Sequence, residues 1–350
     1  MNLESVIKKI EPLKALEMEY ASKRWDSIAK PLHSLGKMED IIIQIAGITG
    51  DVQVNIEKKA LIAMCADNGV VEEGVTQTGQ DVTAIVAENF LDSKTSACVM
   101  CNTVGCDMIP VDIGMIKDTR VRNDKKIAYG TKNMTKGPAM TYEEALRAIE
   151  AGIEIVQELK EQGYQIIATG EMGIGNTTSS SAVASVLLAQ PVEVMTGRGA
   201  GLSSEGMKRK IDAIKRAIAC NQPDINDPVD VLAKVGGFDI AGLVGVFLGG
   251  AVERIPVVMD GFISCVAALA ASRICPLSAD YMISSHVSKE PAAHLILKEL
   301  KKEAVLHADM CLGEGTGAVT LFPFIDLGRN VYLSMSTFDD INVEQYEELV

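Results

Sequence analysis

Three carboxylates stand where apolar stretches break into glycine or turn residues, and groups so placed can hold a ligand or move a proton. Glu314 lies between two glycines in CLGEGTGAV, Glu171 follows Gly170 in GEMGIGNTTSS, and Asp260 precedes Gly261 in PVVMDGFIS. Little bulk beside Glu314 would shield it from a ligand, and desolvation would make it basic enough for a general base. An exposed loop glutamate would look the same in sequence. Asp67 and Asn68 in ADNGV belong to this set too. Each alone reads as a turn former, since Asp, Asn and Gly favour turns for conformational reasons. Asp67, Glu171 and Asp260 at the ends of three separate apolar runs favour a pocket.

Two glycine-rich segments suit an anion. Gly170 and Gly175 have the spacing of a phosphate loop, but Asn176 stands where a nucleotide-hydrolysing loop carries lysine. Gly173 and Gly175 let the backbone approach a ligand, and the helix expected from Thr177 onward offers free amides. Without the lysine the loop suits a monophosphate better than a triphosphate. TGRGAGLSSEG (Thr196 to Gly206) precedes a helix with apolar Met207, Ile211, Ile214 and Ile218, flanked on opposite sides by Lys210 and Lys215. Either lysine could meet a phosphate, and periodicity does not choose between them.

These residues need a sheet to gather them. Five apolar runs read as buried strands: Ala60 to Gly69, Asp107 to Gly114, Gln165 to Gly173, Ile255 to Phe262 and Tyr281 to His286. Strands apolar throughout belong in a parallel sheet covered on both faces, which binds ligands at the strands' carboxyl ends. A helix opens at Thr141 with a capping box to Glu144, presents Leu146, Ile149, Ile153 and Val156 on one stripe, and stops at Gly163. The stretch Ile240 to Val252 is too short for a membrane span and reads as a buried helix. Residues 1–24 and roughly 291–310 look helical, without glycine turns. The expected fold class is α/β: a large domain over 25–290, with a small helical domain from 1–24 and 291–350.

Of the 350 residues 47% are hydrophobic and only 4% aromatic, and the formal net charge is −14, a field that disfavours nucleic acid and anionic membranes. The charged amphipathic opening carries no export signal, so the eight cysteines read as reduced core residues of a cytoplasmic protein. Cys98, Cys101 and Cys106 lack a fourth ligand nearby and read as packing residues, not a metal site.

The segments GEMGIGNTTSS, TGRGAGL, VGGFDIAGLVG, PVVMDGFIS, SSHVSKEP and LGEGTGA, with KPLHSLGKMED near the start, together resemble the nicotinate-nucleotide:dimethylbenzimidazole phosphoribosyltransferase family. The likeness runs from about Lys30 to Gly317. It implies a Rossmann-like parallel sheet flanked by helices, a small domain from the two termini, a homodimer, and no metal or redox cofactor. It also implies transfer of phosphoribose from nicotinate mononucleotide to an aromatic base such as 5,6-dimethylbenzimidazole, in assembly of the cobalamin nucleotide loop. By resemblance Glu314 is the general base and Glu171 a second carboxylate of the pocket. Gly173, Gly175, Asn176, Gly199, Gly201, Lys210, Asp260 and Ser288 hold the nucleotide, and Thr76, Gln77, Ile85, Met172 and Leu312 the base.

The chain departs from the family in two places. A DHG-type strand end is here Asp67-Asn68-Gly69, without the imidazole. The base segment, often GVSAYP with a later glutamine, reads GVTQTGQDVTAIV, so a polar pocket replaces an aromatic wall and other benzimidazoles, adenine or phenols stay open as the base. A nicotinamide-dependent oxidoreductase would need G-x-G-x-x-G after an early strand, which is not in place. A non-catalytic nucleotide sensor would lack the general base, and Glu314 is present.

Overall fold

The computed structural model describes residues 3–347. Their sheet has five parallel strands: β1 (Lys59–Ala66), β2 (Cys106–Gly114), β3 (Ile166–Met172), β4 (Val257–Met259) and β5 (Met282–Ser284), in the order β2-β1-β3-β4-β5. Each falls within or against an expected apolar run. β4 and β5 are only three residues long, because the chain leaves the ladder at once to form the turns that carry Asp260 and His286.

Every residue of β1 is buried, as its central place between β2 and β3 requires. Side chains alternate across it. Ala60, Ile62 and Met64 join one apolar layer with the helices Tyr142–Glu161 and Phe238–Glu253. Leu61, Ala63 and Cys65 join the other, with Lys37–Thr49, Ser96–Val104 and Thr316–Ser334. The glycines of the second helix in the first layer are what bring those two helices together. A Cβ on Gly245 would collide with the carbonyl of Ile149, so only glycine admits backbone-to-backbone packing there. The capping box is present: the Glu144 amide donates to Thr141 Oγ1 at 3.1 Å, and the Thr141 amide donates to Glu144 Oε2 at 2.8 Å.

The chain ends meet. Trp25 and Tyr332 rings lie 5.2 Å apart, and the Phe338 amide donates to the Ser27 carbonyl at 2.9 Å. The helix Thr316–Ser334 serves both regions, since its Val319 and Phe322 pack in the layer that covers the sheet. Between 291 and 310 the chain is helical only at Ala293–Glu299; beyond it Lys301 takes a left-handed φ of 53° and the segment becomes loop. Cys98, Cys101 and Cys106 are buried in the second apolar layer, and the Cys98 thiol donates to the Phe90 carbonyl. No helix of the described residues is long and apolar enough to cross a membrane.

Candidate active site

A cavity of about 350 Å³ opens at the carboxyl ends of the strands. β3 delivers Glu171 and Met172 to it, the turn after β4 delivers Asp260, and the segment after β5 delivers His286, Ser288 and Glu290. Asp67 and Asn68, after β1, are buried beneath the wall without lining it. A parallel sheet must converge this way, because all its strands end on the same side.

Glu171 is buried, and its Oε2 accepts from Asn176 Nδ2. The same amide nitrogen donates to Asp239 Oδ2 at 2.9 Å. Burial, then the neighbouring Asp239 charge, pushes the Glu171 carboxyl up to about 8. Burial likewise raises Asp239 to about 6. Asp239 is a functional candidate that sequence reasoning missed. The one signal for it was a lone acid opening an otherwise apolar helix in VGGFDIAGLVG.

Glu314 sits in a run of left-handed residues: φ is 92° at Gly313, 58° at Glu314 and 85° at Gly315. Holding a glutamate there costs conformational energy, of order 1–3 kcal/mol, so the surroundings must keep it in place. Asp260 does so. Its Oδ2 accepts from the Gly315 amide at 3.1 Å, and its Oδ1 from Gly317 at 2.8 Å and Ala318 at 3.1 Å. This carboxylate, on the cavity wall, thus also clamps the N-terminus of the helix Thr316–Ser334, where negative charge is favoured. Glu314 Oε2 is buried without a hydrogen-bond partner. Burial raises the Glu314 carboxyl above its ordinary range, while the Ala97 amide and Thr95 hydroxyl favour its charged form.

The two lysines part, and neither is in the cavity lining. Lys210 is fully buried, and its Nζ donates to Thr177 Oγ1 at 2.9 Å and the Gly197 carbonyl at 3.1 Å. Lys215 is exposed and pairs with Glu193. Lys210 does not flank the apolar stripe of its helix, Ser204–Asn221, but lies on the buried face with Ala213, Ile214 and Ala217, while Met207, Ile211 and Ile218 are half-buried. The two alanines leave room for its long stem. Burial lowers its ammonium to about 8. Gly173, Gly175, Asn176 and Gly199 line the cavity above it, and Gly175 caps the helix Asn176–Leu187 at φ 96°. Gly201 stands off the wall, its carbonyl taken by Gln77 Nε2. Glu290, also missed from sequence, accepts the Gly199 amide at 3.0 Å.

Thr76, Gln77, Met172 and Leu312 line the remaining wall. Ile85 does not. It is 58% exposed on the helix Asp81–Leu91, and Val86, one residue and about 100° further round, takes the place on the wall.

A family model described as "Phosphoribosyltransferase" matches residues 10–343. The nicotinate-nucleotide–dimethylbenzimidazole phosphoribosyltransferase of Clostridium acetobutylicum is 50% identical over 351 residues, covering 100% of both chains. The protein of that name from Acetivibrio thermocellus is 50% identical over 346 residues, 98% of this chain and 99% of its own. The crystal structure of CobT from Thermus thermophilus superposes with a TM-score of 0.89 at 34% identity, covering 95% of this chain and 100% of that one. With the acids gathered at the strand ends and this likeness along the whole length, the chain belongs to the nicotinate-nucleotide–dimethylbenzimidazole phosphoribosyltransferase family.

Proposed function

We propose that this chain moves the 5-phosphoribosyl group of nicotinate mononucleotide to 5,6-dimethylbenzimidazole or a related lower-ligand base, giving α-ribazole 5′-phosphate and nicotinate. One observation carries the assignment of roles. Glu314, with a desolvated and unpartnered oxygen, faces the same cavity as a glycine-lined turn backed by a buried lysine. The base nitrogen attacks C1′ as the bond from C1′ to the nicotinate nitrogen breaks, and the sugar inverts from β to α. Nicotinate departs as a neutral pyridine ring that needs no proton. The attacking base must lose its N–H proton, which passes to Glu314.

The 5′-phosphate is held by the backbone around Gly173, Gly175, Asn176, Gly199 and Gly201, with Lys210 and Ser288. Asp260 holds the loop of Glu314 beside the nucleotide. Thr76, Gln77, Met172, Leu312 and Ile85 surround the base, Ile85 from the rim. Holding two substrates in line contributes on the order of several kcal/mol. The reaction calls for no cofactor. The family likeness further supports a cytoplasmic homodimer in which 25–290 form the catalytic body and 1–24 with 291–350 a helical unit.

The test is direct: the purified chain, given nicotinate mononucleotide and 5,6-dimethylbenzimidazole, releases nicotinate and an α-linked ribotide identified by mass spectrometry. Absence of both products ends the reading. Adenine and phenols offered in competition decide the base, and light scattering decides the dimer.

A further inference from the structure

The cavity holds two glutamates in different surroundings, and the reaction as proposed uses only one of them to take a proton. Glu314 is half-buried, with Thr95 and Ala97 favouring its charge. Glu171 is buried in company that is acidic. Asp239, Asp260 and Glu314 bear on it, Asp67 bears on Asp239, and burial, with Glu171 and Asp239 adding to it, raises the Cys65 thiol. One neutral group serves the pair: Asn176 gives a hydrogen from the same Nδ2 to Glu171 and to Asp239. The closeness is built in by glycine, since a Cβ on Gly173 would lie 2.5 Å from Asp239 Oδ2. Two buried carboxylates bridged by one amide and offset by no cation cannot both stay ionised at neutral pH.

We propose that Asp239 is a positioning residue that locks Glu171 in place through Asn176 and, by its own negative charge, keeps one proton on it, so that Glu171 faces the sugar as a hydrogen-bond donor. The proton belongs on Glu171, since its carboxyl is the one pushed higher, to about 8 against about 6 for Asp239. The consequence is a division of labour. Of the two glutamates, Glu314 is left to accept the proton of the incoming base. A neutral Glu171 also does not repel the carboxylate of nicotinate or the 5′-phosphate, which a second free carboxylate would. Environments that separate two acids in this way assign the acid and the base.

The kinetic arm of the test rests on the phosphoribosyl-transfer reading; the spectroscopic arm does not. Infrared spectra of the full-length chain across pH should show a protonated-carboxyl stretch at neutral pH that Glu171→Gln abolishes. In Asp239→Asn the neighbouring negative charge is gone, so that band should disappear at a pH lower by about one unit. Asn176→Ala removes a donor that favours ionised Glu171, so there the band should persist to higher pH. With nicotinate mononucleotide and 5,6-dimethylbenzimidazole both saturating, so that Lys210 and its effect on KM drop out, the alkaline limb of kcat should move with the band, down in the first variant and up in the second. A band independent of Glu171, or variants that lower kcat evenly at every pH with the limb fixed, overturns the proposal. Should no transfer occur in the wild type, the functional reading fails while the band still decides the proton. If Asp239→Asn does not fold, the Asn176→Ala shift decides alone.

Discussion

Asp260 Oδ1 accepts the Gly317 amide at 2.8 Å, and through this and two further amide bonds the end of β4 fixes the turn that carries Glu314. The residue that positions the base is thus distant in sequence and sits on a different strand end. Asp260→Ala should leave three amides without their acceptor and loosen the turn. We expect kcat to fall about 10- to 1,000-fold with a smaller change in KM, a magnitude usual for a misplaced general base. Steady-state kinetics check this, and an unchanged kcat would show that the turn holds itself.

Gly315 combines φ 85° with a tight wall: an added Cβ would meet the Leu61 side chain and lie 3.0 Å from the Thr169 carbonyl oxygen. Gly315→Ala should therefore cost about 2 kcal/mol or more, read as a lower urea midpoint at unchanged slope.

Glu314→Gln keeps the shape and removes the base. The expected loss is about 10²- to 10⁴-fold in kcat, with thermal stability unchanged or slightly raised because a partly desolvated charge is gone. Calorimetry and single-turnover nicotinate release measure the two effects separately.

Lys210, lowered to about 8 by burial, must be charged to hold a phosphate. Binding therefore requires proton uptake once the pH exceeds that value, and KM for nicotinate mononucleotide should rise about tenfold for each pH unit above it. Lys210→Met should raise KM at neutral pH and abolish this dependence. Isothermal titration in two buffers of different ionisation heat detects the proton directly.

Glu171 and Asp239 also predict a pH dependence of folding. Unfolded, both ionise in the ordinary carboxylate range; folded, they keep protons up to about 8 and about 6. The native state therefore binds more protons across that interval, and the stability contributed by the two acids falls as pH rises through it, levelling off above about 8. Glu171→Gln should flatten the upper part of the decline. Urea titrations at several pH values between about 5 and about 8, below the range where folded Lys210 loses its proton, test it, and a stability that climbs over this range would refute the assignment.

Much of the architecture follows from local chemistry visible along the chain. The apolar runs located all five strands, because strands covered on both faces are apolar along most of their length. The Thr141–Glu144 box located a helix start, because capping is a bond between residues three apart. The glycine turns, the acids at the strand ends and the family likeness could be read the same way. Periodicity did not separate Lys210 from Lys215; only the folded structure buries one against Thr177 and the Gly197 carbonyl and leaves the other in water. It could not show that Ile85 faces outward and Val86 inward, which depends on the rotation of a single helix. Nor could it reveal Asp239, whose meaning comes entirely from sharing Asn176 with a residue on another element. Spacing along the chain fixes what each segment can become. The charge state and direction of a side chain depend on what lies across from it, and that is decided only when distant segments are brought together and water is removed.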